Sequence, residues 1–165
     1  MNRIFFIFTI LILLSGCEKF DLPRDNPLDN SGNEQPTPPN NNDIEIIYER
    51  NSIYWDNNND GIINIGETIK LRVYLKNIGS NTASNIKAKI NTNNDKVQMY
   101  YTNFNTYYNY ISPNQEVYGK MNNNADFSVQ FKVLTSFTGN NIKFTIDIFD
   151  DNSNHWADDF SVSVE

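Results

Sequence analysis

The chain has 165 residues, with 20 acidic against 13 basic side chains and a formal net charge of −7. No basic stripe exists to neutralise phosphates, which argues against nucleic acid as a partner, and no polybasic patch exists to hold a membrane by charge alone. Cys17 is the single cysteine, so no disulfide forms within the chain.

The N-terminus reads as an export signal. Arg3 supplies the positive start, and Ile4 to Leu14 is an apolar run broken only by Thr9. The run is too short to span a bilayer and suits a secretory leader. It ends in Leu14-Ser15-Gly16-Cys17, the small-residue pattern of a bacterial lipobox. Residues 1–16 are therefore expected to be removed, with acyl chains such as palmitate attached at Cys17. Two or more such chains give stable anchoring to the lipid bilayer where one gives marginal binding. Loss of Arg3 leaves one fewer basic residue than the 13 of the full chain, so 12 stand against 20 acidic and the mature charge is −8.

Residues 17–42 are predicted to be a disordered tether. Asn30 to Asn42 is nearly devoid of apolar side chains and includes Pro36, Pro38 and Pro39. Such a segment cannot bury enough surface to offset its chain entropy.

From Asp43 the pattern changes to period two. Ile69, Leu71, Val73 and Leu75 alternate with polar or amphipathic neighbours. So do Ile86, Ala88 and Ile90, the set Phe127, Val129, Phe131 and Val133, and the set Ile142, Phe144, Ile146 and Ile148. Trp156, Phe160, Val162 and Val164 share one parity. Such alternation marks half-buried strands. About seven strands separated by Asn, Gly and Ser turns predict an all-β, antiparallel β-sandwich over residues 43–165.

Asp56-x-Asn58-x-Asp60-Gly61-x-x-Asn64-x-x-Glu67 matches a calcium loop at each specified position. Side chains at its first, third and fifth places turn toward one cation, and glycine at the sixth permits positive φ. Ile62 would offer its carbonyl, Asn64 a direct or water-mediated contact, and Glu67 a closing carboxylate. Strand-like flanks argue against an EF-hand and for a loop between strands. The alternative is a polar turn whose Asp and Asn side chains cap their own backbone.

Three further groups carry weaker signals. Asp150, Asp151, Asp158 and Asp159 bracket the last turn and read either as a second metal site or as a charged strand end and solvated face that discourages edge pairing. Tyr100, Tyr101, Phe104, Tyr107, Tyr108 and Tyr110, interleaved with asparagines, suit glycan stacking or edge packing of the sandwich. His155 is the sole histidine, and no nucleophile elbow, metal-binding histidine pair or phosphate loop accompanies it. These absences predict a non-enzyme.

Four segments resemble two known families. Leu22 to Asp29 resembles the stretch after the lipidated cysteine in lipoproteins of the Bacteroidota. Trp55 to Gly79 resembles the opening of immunoglobulin-like modules beside gingipain-type secreted proteases and in cell-surface proteins, which read Asp-Gly-x-x-Asn-Pro-Gly-Glu, a strand, then Lys-Asn-x-Gly. Asn154-His155-Trp156-Ala157-Asp158-Asp159-Phe160 resembles their closing strand, and Tyr110 to Asn114 their Ile-x-Pro-Gly turn. Ile65 departs from the usual proline and Asn114 from the usual glycine. The resemblance implies an immunoglobulin-like fold and an accessory role; the anchored chain is expected at the outer membrane, facing the periplasm or the surface. The partner would be an unidentified envelope protein or, through the tyrosine cluster, a glycan.

Overall fold

A computed structural model describes residues 44–122 and 125–165. The leader, Cys17, the tether and Asp43 lie outside the described residues. Ten strands follow in order: β1 (Ile46–Trp55), β2 (Thr68–Asn77), β3 (Ala83–Asn91), β4 (Val97–Tyr100), β5 (Thr106–Ile111), β6 (Glu116–Tyr118), β7 (Lys120–Met121), β8 (Val129–Val133), β9 (Asn141–Phe149) and β10 (His155–Ser163). No helix occurs among the described residues.

The strands form two antiparallel five-stranded sheets. One runs β1-β2-β8-β4 with β6 also paired to β2; the other runs β10-β9-β3-β5-β7. The orders β1-β2-β8 and β10-β9-β3 correspond to the A-B-E and G-F-C frames of an immunoglobulin sandwich. The expected count of about seven becomes ten because β4, β6 and β7 hold only four, three and two residues. Pieces that short cannot complete the alternation by which strands are recognised.

The alternating apolar residues meet between the sheets. Ile69, Leu71, Val73 and Leu75 of β2 face Ile142, Phe144, Ile146 and Ile148 of β9, and all are buried. Rings from four strands bridge the core. Phe144 lies 5.1 Å from Phe131, Phe144 stacks on Phe160 at 5.0 Å, and Phe160 stacks on Tyr48 at 5.0 Å. Phe127 departs from the predicted face: it is only half-buried and lies against Tyr54 at 6.4 Å.

Asparagine does the work that glycine does elsewhere. Asn59, Asn85, Asn109, Asn114 and Asn122 all have φ between 54° and 61°, a left-handed conformation that asparagine tolerates better than most residues. Asn114, at the position where a turn glycine was expected, has φ 61°.

Candidate functional site

The predicted calcium loop joins β1 to β2, with strands on both sides as expected. Gly61 has φ 77° and Gly66 φ 92°, so both turns need a residue without a β-carbon. Asp56, Asn58 and Asp60 each accept from the backbone ahead of them. Gly61 N–H donates to Asp56 Oδ2 at 3.0 Å, Asp60 N–H to Asn58 Oδ1 at 3.0 Å, and Ile62 N–H to Asp60 Oδ1 at 2.8 Å. Asn64 N–H donates to Glu67 Oε2 at 3.1 Å, and Thr68 N–H to Asn57 Oδ1 at 3.0 Å.

Two contacts seat the loop on the sandwich. Ile63 is buried at 4% exposure, and Glu165 N–H donates to the Ile63 carbonyl at 2.9 Å. Ile62 stays exposed. Asp56 is 2% exposed, yet its Oδ1 is buried without a hydrogen-bond partner. An unsatisfied buried carboxylate oxygen is costly and calls for an explanation. Among the described residues, however, no three or more His, Cys, Asp or Glu side chains are grouped to hold a metal ion. Asp60 Oδ2 accepts instead from Asn58 Nδ2 at 2.8 Å and from Asn64 Nδ2 at 3.4 Å.

The second acidic group is dispersed. Asp150 is buried rather than solvated; its Oδ1 accepts from Asn152 N–H at 2.8 Å and Asn154 N–H at 2.9 Å, fixing the β9–β10 turn. Asp151 pairs with Lys87 and Asp159 with Lys143. Asp158 Oδ2 accepts from Tyr48 N–H at 3.0 Å, linking the edge strands of the two sheets. No second metal site forms from these four. His155 pairs with Asp147 on the neighbouring strand.

The tyrosine cluster divides. Tyr108 is 2% exposed and belongs to the core, which corrects its place among the ligand-binding candidates. Burial raises its phenol pKa, with Ser128 opposing weakly. Tyr107 is half-buried on β5, opposite Lys87, and Tyr110 is 66% exposed. Tyr100, Tyr101 and Phe104 form a chain of rings, with centroids 6.5 Å and 5.9 Å apart. Tyr101 and Phe104 are exposed. Tyr101 has φ 63°, a conformation that strains a bulky residue.

A further feature was hidden in the sequence. On the outer face of the first sheet, basic side chains lie against rings. The Arg50 guanidinium stands 3.6 Å from the Tyr74 ring centre, and Arg50 pairs with Glu116. Arg72 lies 4.4 Å from the Tyr54 ring centre and 4.6 Å from that of Tyr118. Lys70 lies 5.1 Å from Trp55 and 5.0 Å from Phe127. Ser52 first, then Arg50 and Arg72, hold the Tyr74 phenol below its ordinary pKa. The signal in the sequence was the outward series Lys70, Arg72, Tyr74, but the flanking rings come from other strands.

Two surface grooves are open to solvent. One, of about 310 Å³, lies beside the loop, between Ile53 of β1 and Val162 of β10, and includes one carboxylate, Glu165. The other, of about 480 Å³, is lined by Thr, Asn and Lys143.

Comparison with known proteins bears on the N-terminus. Residues 1–17 match the model of the prokaryotic membrane lipoprotein lipid attachment site. A search of the curated proteins found no match. The attachment site agrees with the lipobox read from Leu14 to Cys17. The chain is a bacterial lipoprotein, anchored to a membrane by covalent lipid on its cysteine.

Proposed function

We propose that the sandwich is a non-catalytic interaction module of the outer membrane, braced at its β1–β2 loop by calcium. The observation that carries the calcium reading is Asp56: a buried carboxylate with one oxygen fixed by Gly61 N–H and the other unpartnered. A hard cation accepts such an oxygen readily. Asp60, Asn58, the Ile62 carbonyl, Asn64 and Glu67 would complete the donors. The ion would supply positive charge to the carboxylates of the loop, and Asp60 and Glu67, which form no three-carboxylate group with Asp56 here, would turn toward it; the chain itself supplies the backbone bonds that preset the turn. The immunoglobulin-like resemblance supports the accessory role.

The test is thermal melting in calcium against chelator. Extracellular modules bind calcium with dissociation constants of about 10⁻⁴ to 10⁻³ M. At roughly 1 mM calcium that range adds about 0.4–1.4 kcal/mol, a rise of a few degrees. Asp60→Ala, at an exposed position, should abolish the rise without unfolding the domain. Equal melting temperatures of the wild type in the two buffers would leave the loop a capped turn.

A second reading is favoured by Tyr100, Tyr101 and Phe104. Adjacent, partly exposed rings can stack on sugar faces, so the module would contact a glycan. Loss of glycan retention in Tyr101→Ala tests it.

A further inference from the structure

The outer face of the first sheet carries a row of side chains across four strands. Strand register places Trp55 opposite Lys70, Lys70 opposite Gln130, and Gln130 opposite Tyr100. Neighbouring strands stand about 4.8 Å apart, so the row is roughly 14 Å long. It has a ring at each end, with a cation and an amide between. Beyond Tyr100 the rings of Tyr101 and Phe104 continue.

Cations flank the row on both sides. Arg72 stands two residues along β2 from Lys70, and Lys132 stands two residues along β8 from Gln130, opposite Thr68. Among the described residues no ion pair involves Lys70, Arg72 or Lys132; the Asp126 carboxylate, paired with Lys120, is the acidic group that Arg72 influences. This is unusual placement on a chain with a net charge of −7. Arg72 donates its Nε–H to the Asp126 carbonyl at 2.9 Å. Held by that bond and by two rings, its planar fork is preorganised for a two-oxygen anion.

We infer that this face binds a linear anionic polysaccharide, with sugar rings stacked at Trp55 and Tyr100 and acidic groups met by Lys70, Arg72 and Lys132. The inference rests on the glycan reading for Tyr100 and Tyr101 and names its ligand class. Three alternatives fit less well. A peptide strand would add by its backbone along an outer strand, β1 or β4, and so would meet one end of the row rather than the cations on β2 and β8. An anionic bilayer presents a wide negative surface to a negatively charged domain. A single polymer strand meets only this row, since screening confines the rest to about 8 Å. A neutral glycan leaves three cations unanswered.

The test uses the full lipidated chain in detergent, with chelator present to exclude calcium bridging. Polygalacturonate is the probe. Dextran, polyglutamate and phosphatidylglycerol vesicles are the comparators. The inference requires polygalacturonate binding that weakens with salt, and a loss of affinity of about tenfold in Lys70→Gln and in Arg72→Gln, the scale of one charge-assisted hydrogen bond. Lys89→Gln, a cation of the other sheet, should change nothing. Circular dichroism confirms that each variant folds; Lys132→Gln serves if either fails. Tighter binding of polyglutamate or vesicles, or equal loss in Lys89→Gln, overturns the inference. Dextran binding that is lost in Tyr101→Ala and unaffected in Arg72→Gln overturns the anionic class and keeps the glycan reading. Binding of none of the polysaccharides ends both.

Discussion

Phe144→Ala is predicted to be among the most damaging substitutions in the sandwich. Phe144 is fully buried. Its ring touches two others, Phe131 at 5.1 Å and Phe160 at 5.0 Å, and Phe160 continues to Tyr48. Those rings come from β8, β9, β10 and β1, so truncation opens a void where both sheets meet. Phe→Ala in a core costs about 3–5 kcal/mol, including the cavity left behind. Each ring pair accounts for roughly 0.5–1.5 kcal/mol of that total. Domains of this size are stable by only about 5–15 kcal/mol. The melting temperature should therefore fall by roughly 10–20 °C. Urea unfolding of the lipid-free chain measures the change, with Lys143→Ala, its outward neighbour, as the control. Phe144→Leu should fall between the two, because it fills part of the void. A Phe144→Ala cost within about 0.5 kcal/mol, the usual limit at surface sites, would refute the ring-bridged core.

Two other outcomes follow from single positions. A β-carbon at Gly119 would lie 2.5 Å from Tyr108 Cζ and 2.7 Å from its Cε2, and against Thr106 Cγ2. Gly119→Ala should therefore cost about 1–3 kcal/mol, as overpacking does, and a melting temperature equal to the wild type would show that the ring moves freely. Cys17→Ala should shift the chain from the membrane fraction to soluble or uncleaved forms; unchanged partition would place the anchor elsewhere.

The parts of the fold legible in the sequence are those with long alternation. The inward faces of β2, β9 and the second half of β10 are the predicted ones, because nine or ten residues leave one register that buries them. The stretch from Val97 to Met121 resisted for a physical reason. Asn109 at φ 58° shifts the β3–β5 register, so counting along Tyr107, Tyr108 and Tyr110 does not reveal which ring is buried. Asp150 was expected in solvent because nothing local signals that it caps the turn ahead of it. The row from Trp55 to Tyr100 joins residues distant in sequence, through a β1–β2 pairing with two irregularities. Alternation gave the outward direction of Lys70 and Arg72, whereas their partners depend on non-local register.

The loop and the row meet at Trp55 and Lys70, and this links the two proposals. Trp55 immediately precedes Asp56, and Lys70 stands three residues after Glu67. The loop thus sets how β1 and β2 leave the turn, and with them the separation of the Trp55 ring and the Lys70 ammonium, 5.1 Å here. The chain enters at Ile46, and ten residues of β1 carry it about 33 Å to the loop end of the sheet. Trp55 thus lies at the end of β1 opposite Ile46. If calcium fixes the loop, it also fixes that ring. We predict that calcium changes the Trp55 fluorescence in a Trp156→Phe background, where Trp55 is the one remaining tryptophan of the two in the chain. By linkage, a polysaccharide bound to the row should tighten calcium binding by the factor that calcium tightens its own. Calcium titration of the emission, with and without dextran sulfate, measures both. Asp60→Ala should remove the response while keeping the emission of the folded chain. A calcium-dependent melting rise with no change at Trp55 would separate the loop from the row, leaving calcium a structural brace alone.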